Sequence, residues 1–490
     1  MAALVESRRQ SPLCLPAGVV TKIFLYLNFS EIILSLRVCK EWNRTLTSPL
    51  HSTLWRNLEV PNNCMMRWWP SHADVAKMLS WAGHGGANRI VMGRRDTARA
   101  TLTLVLNESP NLEHLEYTQP VEDLLLPSDE QLCKQLRNVS IHGSETAFRN
   151  AAPDVPGGFP RTFLQNAASS LEHLAFEGIP LQWQNTELEP EIPFLPKLKT
   201  LRIKESSITG LPLPLFHLSD AFPGLEQLFV SQASANLDPG PMPELNPSRK
   251  WETIWPKLKV FLFEANITTM RYWLSRSFSP VRFLTCLSRG DLLQHIRLDF
   301  GHQGWPCMFM YGDIHDDYQR SELQSLRSFR SCKLRMEPER ARCLFSSAIR
   351  TERLSSFDIV FPPNSLDYRE SINHLHGYGW LRGAPSIVTL GCYDFFFPIW
   401  PENDEDLHLP QFLATFPNLQ TLSIRSTRYT ILPFTYLVEV ILRLTHLKTI
   451  YINDYQNHPN VNLLRRAAAE QGVELITEER PQQWPMPLSS

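Results

Sequence analysis

The sequence has no paired cysteines. Its nine stand singly at 14, 39, 64, 133, 286, 307, 332, 343 and 392, and none forms a C-x-x-C pair. An odd number of scattered thiols fits reduced cysteines inside a cell, not a disulfide framework or a zinc ribbon. A field of one sign is missing too. The formal net charge is −2, which draws in neither nucleic acid nor an anionic membrane. No stretch approaches about 18 uninterrupted apolar residues, so no transmembrane helix is expected. The opening "MAALVESRRQSPLC" lacks the apolar run of a secretory signal. The expected compartment is therefore cytoplasm, nucleus or both. Glycine is scarce, 21 residues against 38 prolines. Proline ends helices and is kept out of central strands, so many short elements are expected rather than a few long helices. Signatures of catalysis are absent as well: there is no G-x-x-x-x-G-K-[ST], no G-x-S-x-G and no H-E-x-x-H. The chain is expected not to be an enzyme and to hold no metal or other cofactor.

What the sequence does contain is a repeat. With 43% hydrophobic and 20% charged residues over 490 positions it has globular composition. From about residue 101 the unit L-x-x-L-x-[apolar] recurs. It reads "LEHLEY" at Leu112, "LRNVSI" at Leu136, "LEHLAF" at Leu171, "LKTLRI" at Leu198, "LEQLFV" at Leu225 and "LKVFLF" at Leu258. It continues as "LQHIRL" at Leu293, "LSSFDI" at Leu354, "IVTLGC" at Ile387, "LQTLSI" at Leu419 and "LKTIYI" at Leu447, with a weaker copy from Leu323 to Phe329. Most spacings are roughly 24–35 residues, near the leucine-rich-repeat range. A proline often stands just before the unit, as in "SPNL", "LPKL", "FPGL", "WPKL", "APSI" and "FPNL". Helical candidates lie between the units, "PERARCLFSSAI", "TYLVEVILRLTH" and "NLLRRAAAEQG" among them, and "VELIT" reads as a last short strand. Strand then helix, repeated, predicts an α/β fold: a curved solenoid with a parallel sheet on its concave face. The expected organisation is a disordered 1–11, a helical module at 12–58, a helical connector at 59–100, the solenoid at 101–478 and a tail at 479–490.

Within each unit the residue between the last two apolar positions, and the one after them, point away from the core. These include Glu116, Ser423 and Asn453. The candidates for contacting a protein substrate are Arg202, Lys204, Arg297, Asp299, Asp358, Arg425 and Tyr451. Their mixed chemistry fits a specific protein surface and equally a solvated sheet face. The segment 299–320 holds His302, Cys307, Asp313, His315 and Asp316, but at spacings that match no zinc pattern. "GHGGAN" at 83 reads as a helix end and turn, "WPENDEDLHLP" at 400 as a solvated acidic loop, and His374 with His376 as a loop detail or a base.

The stretch "LPAGVVTKIFLYLNFSEIILSLRVCKEW", 15–42, is the most apolar part of the chain. Val19, Val20, Ile23, Phe24 and Leu27 fall at helical spacing, and Ser30 is placed to cap a second helix carrying Ile32, Ile33 and Leu36. Cys39 reads as a small buried hydrophobe. Leu15-Pro16, the Ile/Phe/Leu helix, Val38-Cys39 with Trp42, and the closing Leu54-Trp55 resemble an F-box over Leu13 to about Leu58. Gly18 departs from the Glu usual in that family. The irregular repeats and proline-rich turns resemble those of fungal F-box proteins more than the regular animal kind. The resemblance implies a Skp adaptor as partner and, through it, a cullin–RING ligase. It makes Leu15, Pro16, Ile23, Phe24, Leu27, Val38 and Trp42 candidates for the adaptor interface or its immediate support. The function it implies is that of a substrate-recognition subunit, with an unidentified protein as substrate. A scaffold acting outside the ligase and an enzyme with an unrecognised site in the solenoid are the alternatives. Three short helices of about 45 residues are too few to bury so much apolar surface alone, which agrees with a docking role.

Overall fold

The computed structural model describes residues 17–60, 71–92, 98–119, 134–143, 161–178, 193–205, 215–232, 255–265, 292–300, 323–362, 368–396, 407–425, 431–452 and 461–488. The readings made for 1–11, Leu15, Pro16, Asn453, most of 299–320 and most of 400–410 lie outside these residues. The chain is α/β, with fifteen strands among the described residues, and the paired strands run parallel. It divides into two compact units, Met1–Ile179 and Pro180–Ser490.

The first unit opens with α1 (Ala17–Phe24), α2 (Phe29–Ser35) and α3 (Lys40–Leu46), then a 3-10 turn from Pro49 to Trp55. Its ladder is β1 (Asn57–Val60), β2 (Arg89–Met92), β3 (His114–Gln119), β4 (Asn138–Gly143) and β5 (His173–Glu177), each paired with the next. Between strands run α4 (His72–Ala82), α5 (Ala98–Glu108) and α6 (Arg161–Asn166). The sheet thus begins at Asn57, and the segment 59–100, expected as a helical connector, contains strand β2. The register explains why neither strand carries the repeat motif. Asn57 pairs with Arg89 and Arg89 with His114, so Trp55 and Ala87 stand where Leu112 stands one repeat later. Both are fully buried in the leucine's role, but neither is a leucine.

The second unit carries β6 (Thr200–Glu205), β7 (Gln227–Gln232), β8 (Val260–Ala265), β9 (His295–Phe300) and β10 (Ser328–Arg330). It continues with β11 (Ser356–Val360), β12 (Thr389–Tyr393), β13 (Thr421–Arg425), β14 (Thr449–Ile452) and β15 (Glu474–Ile476). Its helices are α7 (Leu215–Ala221), α8 (Pro338–Arg350), α9 (Tyr368–Gly377), α10 (His408–Ala414), α11 (Ile431–Leu444) and α12 (Val461–Glu470). Leu201, Leu228, Phe261, Ile296, Leu390, Leu422 and Ile450 are all 0% exposed at equivalent strand positions. Stacking therefore buries the leucine row that one repeat alone could not cover.

The proline signature has a local cause. The leucine amides of 112, 198, 225 and 258 donate to the carbonyls of Ser109, Leu195, Phe222 and Trp255. Each closes a four-residue turn with proline in second place, where its fixed φ is already correct. The residue before each proline is buried under the turn, which is why it is so often aromatic.

Candidate protein-docking surfaces

Asn28 caps α2: its side chain accepts from the Glu31 amide at 3.0 Å while the Glu31 carboxylate takes the Asn28 amide at 2.8 Å. This capping box displaces Ser30, the expected cap, because its Glu lies three residues after Asn28. Cys39 is exposed, not buried, and its sulfur accepts from the Trp42 amide at 3.4 Å to cap α3. The ring of Phe24 meets Trp42 edge-on at 5.5 Å. Trp55 sits beneath, donating to the Leu46 carbonyl at 2.8 Å and packing on Trp81 at 4.7 Å.

What remains outside is apolar. Twelve large hydrophobic residues are exposed among the described residues, and eight of them lie between positions 19 and 50: Val19, Ile23, Leu25, Tyr26, Leu34, Val38, Trp42 and Leu50. Monomeric proteins scatter such residues singly, and their concentration on one short segment makes it a candidate interaction surface. Ile23, Val38 and Trp42 lie on it, Leu27 is half-buried, and Phe24 is buried beneath it as support. Leu25, Tyr26, Leu34 and Leu50 join them without a sequence signal: Leu34 by its rotation on α2, the other three from the turns after α1 and α3, which apolar spacing does not place.

The second surface is the sheet face opposite the leucine core in the second unit. Its register aligns Arg202, Phe229, Leu262, Arg297 and Arg330 across β6 to β10, then Gly391, Ser423 and Tyr451 across β12 to β14. Asp358 on β11 pairs with Gly391, where a side-chain carbon would collide with the Asp358 carboxylate. Arg425 on β13 hydrogen-bonds the Cys332 carbonyl just past β10.

Most of the charged candidates on this face are engaged within the chain. Arg297, only 8% exposed, meets Asp299 at 2.6 Å, Glu264 at 3.0 Å and Glu479 at 3.0 Å. Burial opposes the Arg297 charge, but the Asp299 and Glu264 carboxylates outweigh it and hold the guanidinium firmly protonated. Asp299 also accepts from the Cys332 amide at 2.7 Å, and despite its burial these partners keep its carboxyl below the usual range. Arg425 is bidentate to Asp394 at 3.0 and 3.1 Å. Arg202 lies over the Phe229 ring at 5.4 Å. Lys204 is exposed and Tyr451 half-buried. These charges point off the core as their position in the repeat dictates, yet they neutralise one another in rows. A one-residue pattern cannot reveal that.

The C-terminal segment crosses this face. Arg480 reaches both Asp358 oxygens at 3.2 and 3.3 Å. Arg330 donates to the carbonyls of Arg480 at 3.0 Å and Pro481 at 3.2 Å, and to the Gln482 side chain at 2.9 Å. The Gln227 amide takes both backbone groups of Met486, at 2.9 and 3.0 Å. Trp484, Met486 and Leu488 pack on Phe229, Val260 and Leu262.

No protein-family model and no curated protein matches the chain. Among the described residues there is no helix long and apolar enough to cross a membrane, and no group of three or more metal-ligating side chains. An open polar cleft in the first unit is lined by Arg56, His84, Asn88, Asn111 and Glu113 around the "GHGGAN" turn, whose Gly83, Gly85 and Gly86 all have positive φ. The Cys332 thiol is pushed up to about 12 by burial, reinforced by Asp299 and Glu479, so it is not a nucleophile near neutrality.

His374 is a packing residue of α9, edge-on to Phe361 at 5.4 Å and to Tyr378 at 5.3 Å. Burial holds it at about 4, helped by Arg335. His295, hydrogen-bonded to Ser328 at 2.8 Å, is likewise held at about 4 by burial and Arg327. Both are neutral in the folded chain. An unfolded imidazole titrates near 6.5. Between these values the unfolded state binds protons that the folded state does not, so stability present above about pH 6.5 is lost as pH falls toward 4. Urea titrations followed by circular dichroism should show a midpoint that falls from pH 7 to 4.5, a loss of a few kcal/mol. His374→Phe should lose less over that window; an equal loss would show that His374 does not contribute.

Proposed function

We propose that the chain is an F-box-type substrate receptor of a Skp–cullin–F-box ubiquitin ligase. Helices α1 to α3 dock the Skp adaptor, and the repeat sheet selects the protein to be modified. The observation that carries this reading is the concentration of exposed apolar side chains on α1 to α3, ahead of a leucine-repeat sheet. A surface of Ile23, Val38 and Trp42 is unfavourable in water and becomes favourable when a partner's apolar groove covers it. On this reading the chain transfers no ubiquitin itself. Cys39 is accounted for as a helix cap, and its role needs no thiolate.

The test is made in cells lacking the chain. At least one protein should accumulate and lose ubiquitin conjugates, and both changes should reverse on re-expression of the wild type but not of an adaptor-blind variant. A proteome unchanged in abundance and turnover would overturn the ligase role.

A further inference from the structure

The C-terminal segment crosses the sheet in the manner of a ligand. From 481 to 488 its residues alternate between exposed and half-buried, with Gln482, Trp484, Met486 and Leu488 turned toward the sheet. That is a period-two pattern of burial, carried through a bend at Trp484 and Pro485. The sheet reads it largely through its backbone: Gln227 takes the N–H and C=O of one residue, and Arg330 takes two successive carbonyls. Backbone reading plus pockets for alternate side chains is how proteins bind extended peptides. Two positions add specificity, the Asp358 carboxylate for an arginine and the Phe229–Val260–Leu262 patch for an aromatic four residues later. Pro481 and Pro487 fix φ on either side of a bend at Trp484 and Pro485, which lowers the entropy lost on binding.

We propose that this face is a binding site for a proline-rich peptide bearing an arginine and, four residues on, an aromatic residue. The chain's own 479–488 fills it as an intramolecular competitor. The inference is independent of what α1 to α3 dock. A tethered segment acts at an effective concentration of millimolar order, so a partner must carry the same features and bind well to displace it.

The probe is a fluorescein-labelled peptide of residues 477–490, titrated by anisotropy against the full chain. Wild-type protein should give no saturable binding. The full chain carrying Arg480→Ala and Trp484→Ala should bind the peptide saturably, at a concentration at least tenfold below the highest at which wild type shows none. It should also show faster hydrogen exchange over 481–488. A peptide with the same two substitutions should not bind. Arg480→Ala leaves Asp358 without its guanidinium, so a second variant, Trp484→Ala with Leu488→Ala, removes only half-buried side chains and should behave alike. Free exchange of the segment without peptide binding would make it a structural seal and overturn the proposal. Unchanged exchange in both variants would overturn it as well, because these contacts would then not hold the segment.

Discussion

Ile23→Asp combined with Val38→Asp is expected to lower affinity for a Skp adaptor at least a hundredfold while leaving thermal unfolding where it was. The two residues are 47% and 63% exposed. Substituting exposed residues usually changes stability by no more than about 0.5 kcal/mol. A carboxylate in the desolvated centre of an interface is different, since truncating a central anchor alone costs about 2 kcal/mol or more. Two such sites give about 4 kcal/mol, close to a thousandfold. Titration of the purified adaptor against wild type and variant, with melting curves for both, checks this. Binding within threefold of wild type would place the adaptor elsewhere or nowhere. Phe24→Ala would be a poorer probe. Phe24 is 6% exposed and braces Trp42, so its loss costs fold and docking together.

Asp299→Ala should destabilise the second unit by about 3–5 kcal/mol, the usual effect of removing one partner from a buried ion pair. Asp299 is 2% exposed and serves both Arg297 and the Cys332 amide. Without it Arg297 keeps Glu264 and the more exposed Glu479, while the Cys332 amide loses its acceptor. Asp299→Asn should recover part of the loss, because a side-chain oxygen can still accept from that amide. Urea unfolding of the three proteins decides it. A change under 1 kcal/mol for the alanine variant would mean that the row is solvated and not a buried network.

The repeat was legible because its physics is local. A leucine or other large apolar residue at the buried strand positions and a proline at the second place of many of the turns both leave marks within eight residues. Where the leucine became Trp55 or Ala87 the mark vanished, although the backbone kept its register. The helical module and the sheet meet at the same residue. Trp55 closes the apolar motif of the N-terminal stretch and also begins the first strand repeat, so no clean boundary exists at 58. The outward positions of the strands were legible, but their occupancy was not. Arg480 and Asp358 are 122 residues apart, and Met486 and Gln227 are 259 apart. No periodicity within the tail announces either contact. On α1 to α3 the excess of apolar side chains is plain, whereas which residues of α2 and α3 face outward rests on the Asn28 and Cys39 caps that set those helix starts.

The most direct measurement is hydrogen exchange of the full chain with and without a saturating Skp adaptor. The account predicts slowed exchange across 17–46, centred on Ile23 to Trp42, and no change in β6 to β15. Exchange across 17–46 that stays the same at saturation, or protection confined to the strands, would contradict it.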